Sequence, residues 1–350
     1  MRSLQTFRRR VILLGFLAAV VAALPSQVTG QVSRRATGPT SREGAATATA
    51  LRTPWGDPDL QGVWDFASLT PFERAVALAE RATLTGDEAV RFEEQLQARS
   101  DRDSRDRDVP GQVVDFNEFW VETGPTGDNR TSLIVDPPNG RLPPLTPEAQ
   151  RAKAEVAAAR RGVSLHEPTP GGWIDAIGPG NEQARCLVGV NSGPPMRPSA
   201  YNNLVRISQV PGYVVLLNEQ IHDVRVVPLD GRPHGSIRQW AGDSRGRWDG
   251  DTLVIDTINF RAPTIFPPLG SASMHLVERF TRSAESTLLY RYTVDDPGEW
   301  TRPWTAELIM KRSKEHIYEF ACHEGNYGLM HILTGARAKD AARAPGTVQK

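Results

Sequence analysis

An excess of charge of either sign is missing from this chain. Its 41 Lys and Arg balance 41 Asp and Glu, for a formal net charge of +0 over 350 residues. Nucleic-acid-binding proteins carry a basic excess or a basic stripe, so that class is set aside. After the first thirty residues no apolar run approaches membrane length, which predicts no membrane span once those residues are removed. A Gly-rich phosphate loop and a Cys-x-x-Cys pair are both lacking, which removes the commonest nucleotide and dithiol-redox signatures. Cysteine is scarce: the chain holds only Cys186 and Cys322.

What is present begins with an export signal. Arg8, Arg9 and Arg10 form a basic start, Val11 to Leu24 is apolar, and Val28, Thr29 and Gly30 are small residues before a cleavage point. The pattern predicts a signal peptide over 1–30 and a periplasmic or secreted protein. The run RRVIL at 9–13 also fits a twin-arginine signal, so the export route stays open between the two. Residues 31–51 are rich in Ala, Thr, Ser, Gly and Arg and read as a flexible tether. In an exported chain the even cysteine count predicts a Cys186–Cys322 disulfide. It would close a loop of about 137 residues, worth roughly 5 kcal/mol in the chain-entropy model.

The mature part divides by character. Residues 52–200 read as an irregular arm region with two short helices. Thr85 followed by Glu88 predicts the start of the first helix, and Thr146 followed by Pro147 predicts the start of the second. A run of alternating Asp and Arg at 101–108 has no apolar face and reads as a solvated helix end. Residues 201–342 carry strand patterns at 204–209, 213–220, 222–229, 252–260, 274–282, 287–295, 304–312 and 316–323, then a closing helix from 328 to about 342. Short gaps between strands imply antiparallel hairpins. The expected fold is mainly β: an antiparallel up-and-down barrel, lipocalin-like, or a sandwich, with helical N-terminal arms and a C-terminal helix.

Chemistry points to histidine. His222, His234, His275, His316, His323 and His331 fall among the late strands, several with carboxylates nearby in sequence. Histidine transfers protons near neutral pH and ligates metals. His222 is the expected base, oriented by Glu219 or Asp223, with His275 and His323 as a second acid. Tyr201 is a proton donor to a leaving group and Arg225 a holder of an anionic substrate group. Asn202, Asn203, His234, Glu324 and Asn326 complete the expected substrate contacts. This predicts an enzyme of the lyase or hydrolase kind. It would act by elimination, isomerisation or hydrolysis on a small organic or carbohydrate-derived molecule, without an organic cofactor. Two alternatives stand beside it. One is a lipocalin-like carrier of a small molecule. The other is a metalloenzyme using a divalent metal on His222, His275 and His323. GDSRG at 242–246 matches a hydrolase nucleophile elbow, but a strand rather than a helix follows, so Ser244 reads as a turn serine.

Several long blocks carry a resemblance. DPDLQGVW at 57–64, RTSLIVDPP at 130–138, the stretch from His222 to His234, residues 242–256, HLVERF at 275–280 and YEFACHEGNY at 318–327 resemble a widespread, uncharacterised family of exported bacterial proteins. The resemblance covers most of the mature chain. It implies export and carries no activity, fold or site to these residues.

Overall fold

Runs in which every second residue is apolar build a ten-stranded sheet, because a strand turns successive side chains to opposite faces and buries one set. The computed structural model describes residues 51–78, 80–100, 119, 121, 122, 124, 126, 128–159, 161, 186–261 and 271–343. The signal-peptide reading, all but the last residue of the tether, and the charge run at 101–108 lie outside the described residues.

Two strands come early, β1 (Gly62–Asp65) and β2 (Ile134–Asp136). A first meander follows, of β3 (Leu204–Val210), β4 (Tyr213–Asn218) and β5 (Val224–Pro228). The second meander runs through β6 (Asp243–Asp249), β7 (Thr252–Ile258), β8 (His275–Ala284), β9 (Thr287–Asp295) and β10 (Trp304–Ser313). β1 joins the two by lying between β3 and β10, and β2 pairs with β10 beside it. Residues before 201 therefore supply two strands of the same sheet. Every pairing in it is antiparallel, and the order is β5-β4-β3-β1-β10-β9-β8-β7-β6.

The sheet is not closed by a hydrogen-bonded ladder, but it curls until its outer strands touch. Arg225 on β5 reaches across to Glu278 on β8. A Cβ at Gly246 on β6 would stand 2.5 Å from Leu229 Cδ2 and 2.9 Å from Val227 Cγ1, so the missing side chain lets β6 lie against the end of β5. Large inward side chains fill the space between: Trp64, Phe280, Tyr290, Tyr292 and Trp304 are all fully buried. Phe280 stacks on Tyr290 at 4.7 Å, and Tyr292 meets Trp304 edge-on at 5.9 Å. Offset and edge-on contacts of this kind add to the burial of the rings.

The described residues also form three α-helices, α1 (Gly86–Ser100), α2 (Pro147–Ala159) and α3 (Gly328–Arg343). Thr146 caps α2 as expected, its Oγ1 accepting from the Ala149 N–H at 3.1 Å, with Pro147 in the first turn where no N–H is needed. Cys186 and Cys322 are bonded, with Cα atoms 5.9 Å apart.

Two strand expectations change. Residues 316–323 form no strand despite their alternation. Both flanks of β10 are already taken, by β9 on one side and by β1 and β2 on the other, so the following segment has no ladder to join. Tyr318 is left 69% exposed, and the segment runs out to the disulfide. Conversely, residues 243–249 are strand β6, not a turn. Ser244 sits within it, buried, its hydroxyl 3.0 Å from that of Thr257. Gly250, at φ 59, and Asp251 make the two-residue turn into β7, between the paired Asp249 and Thr252.

Candidate functional site

β7 reads Leu253, Val254, Ile255, Asp256, Thr257; Leu253, Ile255 and Thr257 are buried on one face, and Val254, which shares the face of Asp256, is buried as well. Alternation therefore places Asp256 on the outer face of the sheet. On the neighbouring strand Leu276 and Glu278 are fully buried, so His275 shares that outer face. The two meet: His275 Nε2 lies 2.8 Å from Asp256 Oδ2. The other carboxylate oxygen, Oδ1, lies 2.9 Å from Nε2 of His234, which comes from the loop between β5 and β6. A carboxylate only accepts, so both imidazoles carry a proton on Nε2 and keep Nδ1 for a further partner.

The loop that delivers His234 is fastened on each side of it. Arg245 Nε donates to the Pro233 carbonyl at 3.0 Å. The Gly235 N–H donates to Asp243 Oδ2 at 2.7 Å, and Asn259 Nδ2 donates to the Gly235 carbonyl at 2.7 Å. Arg245 also pairs with Asp243. His234 Nδ1 is 3.6 Å from Asp243 Oδ2, too long for a hydrogen bond, and is buried without a partner. Side-chain exposure separates the two rings, 21% for His234 and 43% for His275. His275 thus offers an oriented, reachable ring nitrogen, and His234 is the inner member.

A second polar group gathers near the first meander. Asn191 Nδ2 donates to the Tyr201 and Asn202 carbonyls at 3.1 and 2.9 Å and lies near Asn203 Oδ1. Glu122 accepts from the backbone N–H groups of Asn202 and Asn203 and from Asn203 Nδ2. The Asn202 side chain in turn bonds Glu219. Burial, and then the charges of Glu122 and, more weakly, Asp65, raise the Glu219 carboxyl above its ordinary range. Asp223 is raised chiefly by burial, against the opposing charges of Arg225 and His222.

Between the two groups lies a buried pair. Arg225 donates to Glu278 through Nη1 at 2.6 Å and Nη2 at 2.9 Å, and the Tyr290 hydroxyl donates to Glu278 Oε1 at 2.7 Å. Burial, and then the Glu278 charge, push the Tyr290 phenol well above its ordinary value, so it remains a donor. Arg225, expected to hold a substrate anion, thus spends its guanidinium inside the sheet.

The expected residues therefore separate into three places. His234 and His275 come together. Tyr201, Asn202, Asn203 and Glu219 come together, with Asp223 nearby. His323, Glu324 and Asn326 lie exposed on the segment after β10, where Asn326 Nδ2 is 3.4 Å from Cys186 Sγ. His222 is exposed, 3.2 Å from the Phe320 carbonyl oxygen. It follows Ile221 in a short turn where both residues have positive φ, 62 and 46, a conformation that strains a β-branched residue. The expected trio of His222, His275 and His323 is not assembled around one point. Among the described residues, no group of three or more His, Cys, Asp or Glu is arranged to hold a metal ion. Sequence reasoning missed Asp256, Asp243, Arg245 and Asn259. Asp256 had a signal: a carboxylate inside an apolar strand, where Asp is depleted, calls for a partner.

No family model matches the chain, and no curated protein matches it. Among solved structures it is similar to a secretary abundant heat soluble (SAHS) protein from Ramazzottius varieornatus, at 13% identity and a TM-score of 0.22, over 31% of this chain and 70% of that one. No helix among the described residues is long and apolar enough to cross a membrane.

Proposed function

We propose that the protein is an exported acid–base enzyme acting on a small organic or carbohydrate-derived substrate at the outer face of β7 and β8, with His275 as the proton-transferring group. The observation that carries this reading is the single carboxylate of Asp256 binding Nε2 of both His275 and His234. A histidine held through one nitrogen by a carboxylate presents the other as a base, and the carboxylate stabilises the imidazolium that forms. His275 would take a proton on Nδ1 and return it to a leaving group or to water, which serves elimination, isomerisation or hydrolysis alike. His234 and the Arg245–Asp243 brace position Asp256 rather than touch the substrate. The interior of the sheet is filled by aromatic rings and the Arg225–Glu278 pair. A substrate would therefore meet the protein from outside.

The test is turnover on a panel of uronate-containing oligosaccharides, aryl glycosides and aryl esters, followed by release of unsaturated product or aryl alcohol. The wild type and His222→Gln are expected to turn over one member. His275→Gln and Asp256→Asn are expected to lose at least about 100-fold in kcat, the scale of general acid–base catalysis. Absence of turnover on every member, or turnover that survives His275→Gln, overturns the reading.

A further inference from the structure

We infer that Arg261, stacked on Trp240, is an anion subsite beside His275 and takes the carboxylate of a uronate-containing oligosaccharide. The inference rests on the acid–base reading above and names its substrate class. Three arginines gather at one end of the sheet, where β7 stops and β8 starts, and two of them are spent. Arg245 donates to the Pro233 and Ser244 carbonyls and pairs with Asp243. Arg238 Nη1 donates to the Phe260 carbonyl at 3.0 Å and to the Ala272 carbonyl at 2.7 Å. Arg261 differs. Its Cζ lies 4.8 Å from the centroid of the Trp240 ring, and among the described residues its guanidinium forms no hydrogen bond and no ion pair.

Local backbone structure sets this stack. Asn259, at φ 60, breaks the alternation of β7. Phe260 then turns into the core, fully buried, and Arg261 is left exposed. Trp240 follows Gln239 in a turn closed by the Gly242 N–H, which donates to the Gln239 carbonyl at 3.3 Å. The same carbonyl accepts from the Arg261 N–H at 2.8 Å, and the Gln239 N–H donates to the Asn259 carbonyl at 3.0 Å. These contacts also tie the stack to the histidines. One nitrogen of Arg238 bonds both the Phe260 and the Ala272 carbonyls, which sets residues 260 and 272 side by side. Arg261 follows the first, and His275 lies three residues beyond the second. Three extended residues span at most about 11 Å, so one short oligosaccharide can meet both side chains. His234, which bonds Asp256, belongs to the same β5–β6 loop as Trp240.

The chemistry of the free group chooses the occupant. A guanidinium lying over an indole keeps N–H donors at its edge, and its fork matches a carboxylate through two parallel hydrogen bonds. Stacking also holds a long side chain in place before the ligand arrives, which lowers the entropy lost on binding. Arg261 has no carboxylate of its own to give up. Arg225, the expected holder of a substrate anion, is committed to Glu278 inside the sheet. A neutral glycoside or an aryl ester leaves the Arg261 fork unfilled, whereas a uronate fills it while a neighbouring unit reaches His275.

The experiment is calorimetric titration of the full chain carrying His275→Gln, so that ligand binds without turnover. The probes are oligosaccharides of galacturonate, glucuronate and mannuronate, each beside its methyl ester. At least one free acid is expected to bind about 10-fold or more tightly than its ester, the scale of a hydrogen bond to a charged group. Adding Arg261→Gln is expected to remove that preference, and Arg261→Lys, which keeps the charge without the fork, to restore part of it. Equal affinity for acid and ester in every pair overturns the inference. So does a preference that survives Arg261→Gln, which would leave the stack a purely structural contact. The subsite and the catalytic reading fail separately. Acid-selective binding that depends on Arg261, with no turnover by the wild type, refutes His275 as the base and keeps the subsite. Turnover that depends on His275 and ignores Arg261→Gln refutes the subsite and keeps the base.

Discussion

Replacing Glu278 by Gln tests the interior of the sheet with one atom. Glu278 is fully buried, takes both Arg225 Nη groups and accepts from the Tyr290 hydroxyl. Glutamine keeps the shape but turns one acceptor into a donor facing a guanidinium that has only donors to offer. The Arg225 charge, with a side chain 4% exposed, then remains in the interior without a counter-charge. Removing one partner of such a pair costs about 3–5 kcal/mol, against the roughly 5–15 kcal/mol that keeps a typical domain folded. At roughly 2–4 °C per kcal/mol for a chain of this size, Tm falls by about 6–20 °C. The companion variant Arg225→Met with Glu278→Leu removes both charges, and is expected to lie near the wild type or up to about 1–4 kcal/mol above it. Urea unfolding of Arg225→Met, Glu278→Leu and the double variant closes the cycle. A Glu278→Gln protein within about 1 kcal/mol of the wild type would refute the dry, bidentate pair.

Other consequences concern the disulfide, the carboxylates and the seam. Cys186→Ser with Cys322→Ser opens a loop of 136 residues and is expected to cost about 5 kcal/mol in the chain-entropy model. Limited proteolysis should then cut within residues 314–327 first, since none of them is buried. The raised carboxyls of Glu219 and Asp223 bind protons more tightly in the folded state, so their contribution is fully present below the ordinary carboxylate value and is lost as pH rises through their folded values. The stability difference between the wild type and Glu219→Gln should therefore shift against the wild type as pH rises from the ordinary carboxylate value toward neutral, and a flat difference would contradict the shift. Gly246→Val puts a side chain into Leu229 and Val227, and overpacking there should lower stability by about 1–3 kcal/mol in a urea titration.

Much of the architecture was legible because its cause is local. The strand at 287–295 matches β9 residue for residue, since Leu288, Tyr290, Tyr292 and Val294 alternate with polar neighbours and all four are buried. Thr146 with Pro147 marked the start of α2, and two cysteines in an exported pattern marked the bridge. What stayed hidden depends on partners distant in sequence. β6 carries four charged residues, each beside a glycine, and looks like a loop until β7 lies beside it. Residues 316–323 alternate like a strand but find both flanks of β10 occupied. β1 enters the sheet between strands that follow it by some 140 residues or more, which no local pattern announces. The histidines were visible as a set, but their grouping was not. The pairing of His234 with His275 depends on Asp256, whose outward position follows from the register of β7 against β8. His222 has acidic neighbours in sequence, yet its ring faces a backbone carbonyl after a strained turn.

The account turns on Asp256 holding two imidazoles by their Nε2 atoms, and nitrogen-resolved NMR of the histidine side chains reads this directly. In the wild type, Nε2 of both His234 and His275 is expected to carry a proton, shifted by its carboxylate acceptor. Asp256→Asn should remove that signature from both rings at once and leave the resonances of His222 and His323 in place. A His275 ring protonated on Nδ1, or one that does not respond to Asp256→Asn, would contradict the account.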